Sequence, residues 1–127
     1  NLRKIKKTMK AKDIVANFYK SDVVLDTDAL DVLLHDDVLL EWHSTKGFLQ
    51  LNKPIILDLS KELNKAYVRS KNNISHLVAK GDTVTVRYTQ YVKTIENPRE
   101  EMLLAHFIVI WELKDDKLFR GYQISQL

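Results

Sequence analysis

The chain of 127 residues contains no cysteine, only three glycines and no long apolar run. The missing cysteines exclude disulfide bridges, thiolate nucleophiles and cysteine-ligated metals. The sequence also lacks a glycine-rich phosphate cradle, a nucleophile elbow and a cofactor fingerprint, so we expect no cofactor. No stretch approaches the ~18 apolar residues of a membrane span, and no apolar segment follows the charged N-terminus as in a signal peptide. We therefore expect a cytoplasmic protein without a membrane partner.

Positive charge is in slight excess and is concentrated at the N-terminus. Lysine and arginine number 20 against 17 acidic residues, which gives a formal net charge of +3. The basic residues among the first twelve are Arg3, Lys4, Lys6, Lys7, Lys10 and Lys12. This arm has no aromatic residues that could stack on bases. We interpret residues 1–8 as a flexible, solvated lead-in and expect no nucleic-acid partner.

Length and composition indicate a single domain over residues 1–127. A chain of this size buries roughly two-thirds of its unfolded surface, which is enough for a core without covalent staples. The hydrophobic fraction of 45% is too high for a disordered chain. We find no internal repeat, low-complexity tract or linker that would divide the chain.

Three amphipathic segments in the first half predict helices. Apolar residues recur at helical spacing over residues 8–20. A second, shorter helix can begin at a cap formed by Asp26 or Thr27 and end near His35. A third follows Asn52 and has Pro54 in its first turn. Residues 37–43 between the second and third helices predict a strand, which Gly47 then interrupts.

The second half has the alternating pattern of long antiparallel strands. Residues 74–79 and 83–93 predict two strands joined by a turn at residues 80–82. In the second of these, Tyr88 and Gln90 share a face with Val84 and Val86. Residues 102–113 and 117–125 predict two more strands, joined by a turn at Asp115 and Asp116. The chain therefore belongs to the α+β class.

The strand over residues 102–113 is apolar on both faces. One face carries Leu103, Ala105, Phe107, Val109 and Trp111, and the other carries Met102, Leu104, His106, Ile108 and Ile110. Both sides of such a strand must be covered, and the helices can cover only one of them. We therefore predict a cavity between sheet and helices and a homodimer through the other face of the sheet. The pattern leaves open which face lines the cavity.

The order of elements and three short motifs resemble the nuclear transport factor 2-like superfamily, in particular its SnoaL-like branch. The motifs are HDDVLLEW at 35–42, KGDTV at 80–84 and WELKDDKL at 111–118, the last with Asp116 in place of the family's glycine. The resemblance extends from about Met9 to the C-terminus. It implies a single SnoaL-like domain with a strongly curved, mixed or antiparallel sheet. About three helices from the N-terminal half would close a cone-shaped pocket against that sheet.

The same resemblance shows where acidic residues of the superfamily are missing. Trp42 occupies the position at which ketosteroid isomerases carry a general-base aspartate. SnoaL-like cyclases often have an acid, a tryptophan and a further aspartate where this chain has Arg120, Tyr122 and Gln126. The resemblance therefore implies a pocket without implying a known family chemistry.

His106 and Tyr88 are the candidate catalytic residues. His106 interrupts an apolar strand face, where burial would favour a neutral imidazole suited to a general base or a hydrogen-bonding anchor. The alternative is a histidine of the core or dimer interface. Tyr88 can orient a ligand carbonyl or hydroxyl from an otherwise apolar wall. The alternative for Tyr88 is a tyrosine tipped toward solvent at a strand end.

The candidate ligand-binding residues are Trp42, Gln90, Tyr122 and Phe18. Trp42 can equally belong to the core or to a dimer interface. The four histidines lie on different predicted elements without a helical i, i+4 pair, so we predict no metal site.

Three functions remain open at this point. The first is a binding domain that holds a small hydrophobic molecule between sheet and helices. The second is a cofactor-independent acid–base enzyme of the isomerase, dehydratase or cyclase type, which would use His106 or Tyr88. The third is a structural dimerisation module with a filled core.

Overall fold

The computed structural model describes residues 10–127, so the basic lead-in predicted for residues 1–8 lies outside the described part. The described helices are α1 (Ala11–Lys20), α2 (Thr27–Leu33) and α3 (Lys53–Ala66), with a short 3₁₀ turn at Val23–Leu25. The strands are β1 (Leu34–Ser44), β2 (Gly47–Asn52), β3 (Tyr67–Lys80), β4 (Thr83–Thr94), β5 (Met102–Lys114) and β6 (Lys117–Gln126).

Helices α2 and α3 begin where the sequence provides capping side chains. The Asp26 carboxylate accepts a hydrogen bond from the Ala29 amide at 3.1 Å, and the Asn52 side chain accepts one from the Ile55 amide at 3.2 Å. Pro54 lies in the first turn of α3, where a missing amide proton costs nothing. The three predicted helices are confirmed, and none of the described helices has the length and apolarity needed to cross a membrane.

The Lys53 ammonium ties α3 to α2 and β1. It lies 2.9 Å from Asp31 Oδ1 and 3.0 Å from Asp36 Oδ1, and it donates to the Leu34 carbonyl at 3.2 Å. Burial alone would lower the pKa of Lys53, but its two carboxylate partners outweigh this and raise it. The same ammonium lowers the pKa of Asp36.

Six strands form one mixed sheet in the order β2-β1-β6-β5-β4-β3. Only the β1–β6 pair is parallel among these neighbours. The prediction missed β2, because Phe48 and Leu49 are exposed on this edge strand and Leu51 is its only buried residue. It also began β3 too late, since bulges near Val68 and Ser75 interrupt the alternation.

Two tight turns match their predicted positions. Asp115 and Asp116 both have positive φ values, 54° and 59°, as a two-residue hairpin between twisted strands requires. Gly81 adopts φ 59° in the β3–β4 turn.

The concave face of the sheet packs on the helices and decides the orientation of β5. Phe107, Val109 and Trp111 are buried against α1 and neighbouring strands, whereas Ile108 and Ile110 face outward. A bulge changes the pattern at the start of the strand, since Ala105 pairs with Gln90 and Leu103 pairs with Tyr91. Leu104 therefore lines the cavity and Leu103 is exposed, the reverse of the predicted alternation.

Candidate functional site

A cavity of about 450 Å³ lies between the concave face of the sheet and the helices. Its helical wall is almost wholly aliphatic or aromatic, and includes Phe18, Leu30, Ile56, Leu59 and Leu63. Its sheet wall is formed mainly by Leu40, Trp42, Leu51, Tyr88, Gln90, Leu104, Ala105, Phe107 and Trp111. A volume of this size and apolar lining are typical of small-molecule sites.

Most polar side chains in the wall are already engaged within the protein. The Gln90 amide donates to Ser70 Oγ at 2.8 Å, and Trp42 Nε1 donates to Ser125 Oγ at 2.8 Å. Ser60 Oγ donates to the Val24 carbonyl at 2.7 Å. These bonds fix the side chains and reduce the number of groups that remain for a ligand.

The floor of the cavity carries a polar chain formed by Trp111, Tyr19 and Tyr88. Trp111 Nε1 lies 2.8 Å from the Tyr19 hydroxyl, and the two tyrosine ring centroids are 4.7 Å apart. Tyr88 also stacks on Phe107, with ring centroids 4.9 Å apart and planes inclined by 9°. Two aromatic contacts therefore hold the Tyr88 ring, and with it the position of its hydroxyl.

Both tyrosines keep their protons at any physiological pH. Burial is the main cause that raises the pKa of Tyr88, and the adjacent Tyr19 raises it further. Burial also raises the pKa of Tyr19, although its hydrogen bonds with Trp111 and Tyr88 act in the opposite direction. Each residue is consequently a neutral hydrogen-bonding group and not a base.

The side-chain amide of Asn72 has a hydrogen-bonded nitrogen and a buried oxygen without a partner. Its Nδ2 donates to the Tyr19 carbonyl at 3.1 Å, which fixes the orientation of the amide. Its Oδ1 is the single buried side-chain polar atom without a hydrogen bond in the described part of the chain. The residue lies at the cavity wall beside Gln90, its partner across the β3–β4 pair.

Charge is nearly absent from the cavity. Among the described residues that line it, only Lys46 is charged, and Lys46 lies in the exposed turn between β1 and β2. Within residues 10–127 no aspartate, glutamate or histidine contributes to the wall, and no group of three or more metal-ligating side chains occurs. The wall can hold an apolar molecule and donate hydrogen bonds, but it offers no conventional proton acceptor for catalysis.

Four of the residues selected from the sequence lie together in this wall. Tyr88 and Gln90 project from β4, Trp42 projects from β1 and Phe18 lies at the end of α1. The face of β4 that carries Tyr88 is therefore the concave one. Whether these four side chains bind a ligand remains a prediction.

His106 lies on the opposite, convex face of the sheet. Its neighbour Phe107 points into the cavity, so alternation turns the exposed imidazole outward. The Thr89 hydroxyl lies 2.9 Å from His106 Nδ1 on that outer face. His106 therefore does not line this cavity, and its predicted role as the proton-transfer group there is corrected.

Tyr122 is also outside the cavity. It pairs with Ile110 on the convex face, where its hydroxyl lies 3.3 Å from Glu112 Oε1. Partial burial and the nearby carboxylate raise the pKa of Tyr122. The concave side of β6 is instead occupied at this level by Gly121 and Gln123. The prediction that Tyr122 binds a ligand in this cavity is therefore corrected.

Two residues of the site were missed by the sequence analysis. Tyr19 lies four residues after Val15 and so belongs to the buried stripe of α1, a signal that was present. Asn72 lies in the half of β3 that was not predicted as a strand, where no alternation indicated which side chains point inward.

Comparison with solved structures shows that this arrangement of elements is shared. One is IdmH, a candidate polyketide cyclase from Streptomyces antibioticus, with a TM-score of 0.71, 15% identity and coverage of 92% of each chain. Another is an LEH-like epoxide hydrolase from M. tuberculosis, with a TM-score of 0.70, 17% identity and coverage of 91% of this chain and 81% of that one.

A SnoaL-like candidate polyketide cyclase from Shewanella denitrificans also aligns, with a TM-score of 0.70, 10% identity and coverage of 91% and 89% of the two chains. No family model and no curated protein sequence matches the chain. Identities this low establish the fold alone. They confirm the fold that the sequence motifs predicted.

Proposed function

Since the chain has the nuclear transport factor 2-like fold in its SnoaL-like form, we propose that it binds a small hydrophobic molecule between sheet and helices. The observation that carries the proposal is the apolar cavity of about 450 Å³ with a protonated, fixed tyrosine in its wall. We further propose that the ligand carries a hydrogen-bond acceptor, such as a carbonyl or ether oxygen, that meets the Tyr88 hydroxyl.

The arrangement of donors in the floor supports a ligand acceptor. An indole nitrogen can only donate, so the Tyr19 oxygen accepts from Trp111. The two tyrosines then hold two hydroxyl protons, and their mutual contact, in which Tyr88 donates to Tyr19, uses one of them. Both hydroxyls can rotate, so reversal of this contact frees the Tyr88 proton for a ligand. The described residues offer the second proton no hydrogen bond. A ligand oxygen would satisfy it.

The descriptions of the neighbouring structures are compatible with this ligand class. They name polyketide cyclases and an epoxide hydrolase. Polyketides and epoxides are carbon skeletons that carry oxygen acceptors. This chain has the fold of those proteins, and its cavity has the apolar lining that such skeletons require.

Binding is favoured over acid–base catalysis by the composition of the wall. The enzyme hypothesis requires a group that accepts a proton near neutral pH. The wall within residues 10–127 contains no carboxylate or imidazole, and burial keeps Tyr88 protonated. A structural module with a filled core is disfavoured by the cavity itself.

We also propose a homodimer through the convex face of the sheet. The central patch consists of Ile108, Ile110, Tyr122 and Ile124, which are 47%, 39%, 40% and 64% exposed. These four side chains are direct neighbours across the β5–β6 pair. A second apolar surface would remove them from water.

A thermal-shift screen tests the binding proposal. Hydrophobic ketones should raise the melting temperature of the wild type, because a ligand of the native state stabilises it. Ala105→Leu places extra carbon in the cavity and should abolish the shift, whereas the matched variant Thr85→Leu, on the other face of the sheet, should retain it. Equal shifts in both variants would count against this cavity as the binding site.

A further inference from the structure

We propose that the two-fold axis of the dimer crosses the strands, so that β5 packs antiparallel on β5 of a second copy and histidines of one copy meet glutamates of the other. The inference rests on the homodimer proposed above. It adds the register of the two sheets and the polar contacts that select it. Its basis is the distribution of charged side chains around the apolar patch.

A row of three register partners, Trp42, Gln123 and Val109, crosses the middle of strands β1, β6 and β5. All three side chains lie on the concave side, so the outward residues flank this row on either side. On one side are Ile108, Ile124 and His43, and on the other are Ile110, Tyr122 and Glu41. The patch is therefore divided symmetrically by the row.

Histidine and glutamate occupy opposite sides of the row at matching distances. On β5, His106 and Glu112 each lie three residues from Val109. On β1, Glu41 and His43 each lie one residue from Trp42. Both glutamates also affect the Tyr122 hydroxyl, which places them around the same side chain on this face.

A two-fold axis along the row exchanges its two sides. His106 of one copy then faces Glu112 of the second copy, and His43 faces Glu41, each contact occurring twice because the interface is isologous. Ile108 faces Ile110 in the same operation. An axis parallel to β5 would instead place Glu112 on Glu112, and two like charges in contact are unfavourable.

The side chains are already oriented for the polar contact. Thr89 lies 2.9 Å from His106 Nδ1, and donation by its hydroxyl leaves the imidazole proton on Nε2. That N–H can donate to a facing carboxylate. Glu112 uses Oε1 toward Tyr122, so its second oxygen remains to accept.

The other charges on the convex face lie on both sides of the row. Arg120 on β6 is the register partner of Glu112 and acts, with the two glutamates, on the Tyr122 hydroxyl. Arg87 on β4 and His76 on β3 are register partners and lie on the His106 side of the row. Arg87 donates to Ser75 Oγ at 2.9 Å and has no carboxylate partner among the described residues. The two-fold operation would bring Arg120 of one copy over Gln126 of the other and Arg87 over Thr85, so it places no two arginines in contact.

Exchange of the two residues tests the register. His106→Glu alone and Glu112→His alone should each raise the dimer dissociation constant about tenfold, because two contacts are lost per dimer. The double variant, H106E with E112H, restores both contacts in reversed order and should return to the wild-type value. Analytical ultracentrifugation measures the constants, and circular dichroism verifies that each variant is folded.

The absence of native cysteine allows an independent measurement by cross-linking. His106→Cys and Glu112→Cys chains, mixed and treated with a short bifunctional thiol reagent, should give mainly the mixed cross-linked dimer. That dimer retains one intact histidine–glutamate contact. Cross-linking of His106→Cys to itself would indicate the parallel axis and overturn the register.

The outcomes separate the register from the dimer. A wild-type chain that sediments as a monomer at all concentrations would contradict the dimer itself. A wild-type dimer whose double variant stays as weak as the single variants would overturn the register and leave the dimer standing. Neither result bears on the ligand cavity, which lies on the other face.

Discussion

Tyr88 shows how neighbouring side chains set the chemistry of a single group. Its ring is held between Phe107 and Tyr19, in a cavity wall whose only charged member among the described residues is Lys46. Because burial raises its pKa, the hydroxyl is a donor and does not become a base. The residue can thus orient an oxygen-bearing ligand but cannot abstract a proton at neutral pH.

Tyr88→Phe should weaken the binding of a hydrophobic ketone while leaving the corresponding hydrocarbon unaffected. The variant keeps the ring that packs on Phe107 and removes only the donor. A lost hydrogen bond of about 1 kcal/mol corresponds to roughly a fivefold rise in Kd. Calorimetric titration of both compounds measures the change. Equal losses for ketone and hydrocarbon would show that the hydroxyl does not contact the ligand.

Alkaline titration should distinguish Tyr19 and Tyr88 from exposed tyrosines. The folded-state pKa of each is raised above the ordinary value of 10.0. Their contribution to stability is therefore complete below pH 10 and falls as the pH rises above it. Tyrosinate absorbance of these two residues should appear only together with unfolding. Their ionisation in a chain with native circular dichroism would contradict the buried placement.

At the residue scale, the sequence indicated the face of the sheet for some candidate side chains but not for others. Strict alternation in β4 placed Tyr88 and Gln90 correctly with Val84 and Val86. Strand β5 contained no such signal, because both of its faces are apolar and alternation cannot tell them apart. The orientation of His106 depends on which face packs on the helices, a long-range property of the fold.

Among the elements, β6 brings the sheet close to the core through a glycine. A Cβ atom on Gly121 would lie 2.6 Å from Leu40 Cδ1 and 2.7 Å from Trp111 Cζ3. The Trp111 ring cannot withdraw easily, since its Nε1 is bonded to Tyr19. The absence of a side chain at residue 121 therefore allows the indole to pack closely against the strand.

Gly121→Ala should destabilise the protein by overpacking this contact. Extra carbon in a filled core costs about 1–3 kcal/mol. Urea unfolding followed by circular dichroism measures the loss. Gly121→Ala with a free energy of unfolding equal to that of the wild type would show that Trp111 can move aside.

The Lys53 network should make the attachment of α3 to β1 depend on pH at both extremes. The pKa of Asp36 is lowered in the folded state, so its contribution is present above the ordinary carboxyl range and is lost as the pH falls through the lowered value. The pKa of Lys53 is raised, so its contribution is lost as the pH rises through the raised value. Lys53→Met should flatten both limbs of the stability profile measured by denaturant titration. A profile unchanged in shape would contradict a role for these charges.

Element prediction succeeded where a local signal existed and failed at the edges of the sheet. The caps at Asp26 and Asn52 and the turn at Asp115 and Asp116 are local chemistry, and the structure has them as predicted. Strand β2 is an exposed edge that gains its conformation from pairing with β1. Its residues alone do not indicate a strand, because only Leu51 is buried.

At the scale of the whole molecule, the curved sheet separates the two proposed functions. Its concave face encloses the cavity, and its convex face carries the apolar patch on which we propose that a second copy packs. The two surfaces share strands but no side chains, because successive residues point to opposite faces. A change on one face should therefore leave the other face working.

Ile124→Lys tests this separation. The variant places a charge in the convex patch, where the side chain is 64% exposed, and should convert the proposed dimer to a monomer. The monomer should still be stabilised by hydrophobic ketones. Light scattering and thermal shift measure the two properties. Loss of ligand binding together with the dimer, in a folded monomer, would show that the cavity depends on the second copy.

The most direct test of the proposed binding site is a nuclear magnetic resonance titration with a hydrophobic ketone, read along strand β5. The account predicts an alternating response, with large shifts at Ala105 and Phe107 and small shifts at His106 and Ile108. Tyr88 should respond together with the first pair. A titration that shifts His106 and Ile108 instead, or that leaves all five residues unchanged at saturating ketone, would contradict the claim that the concave cavity binds this class of molecule.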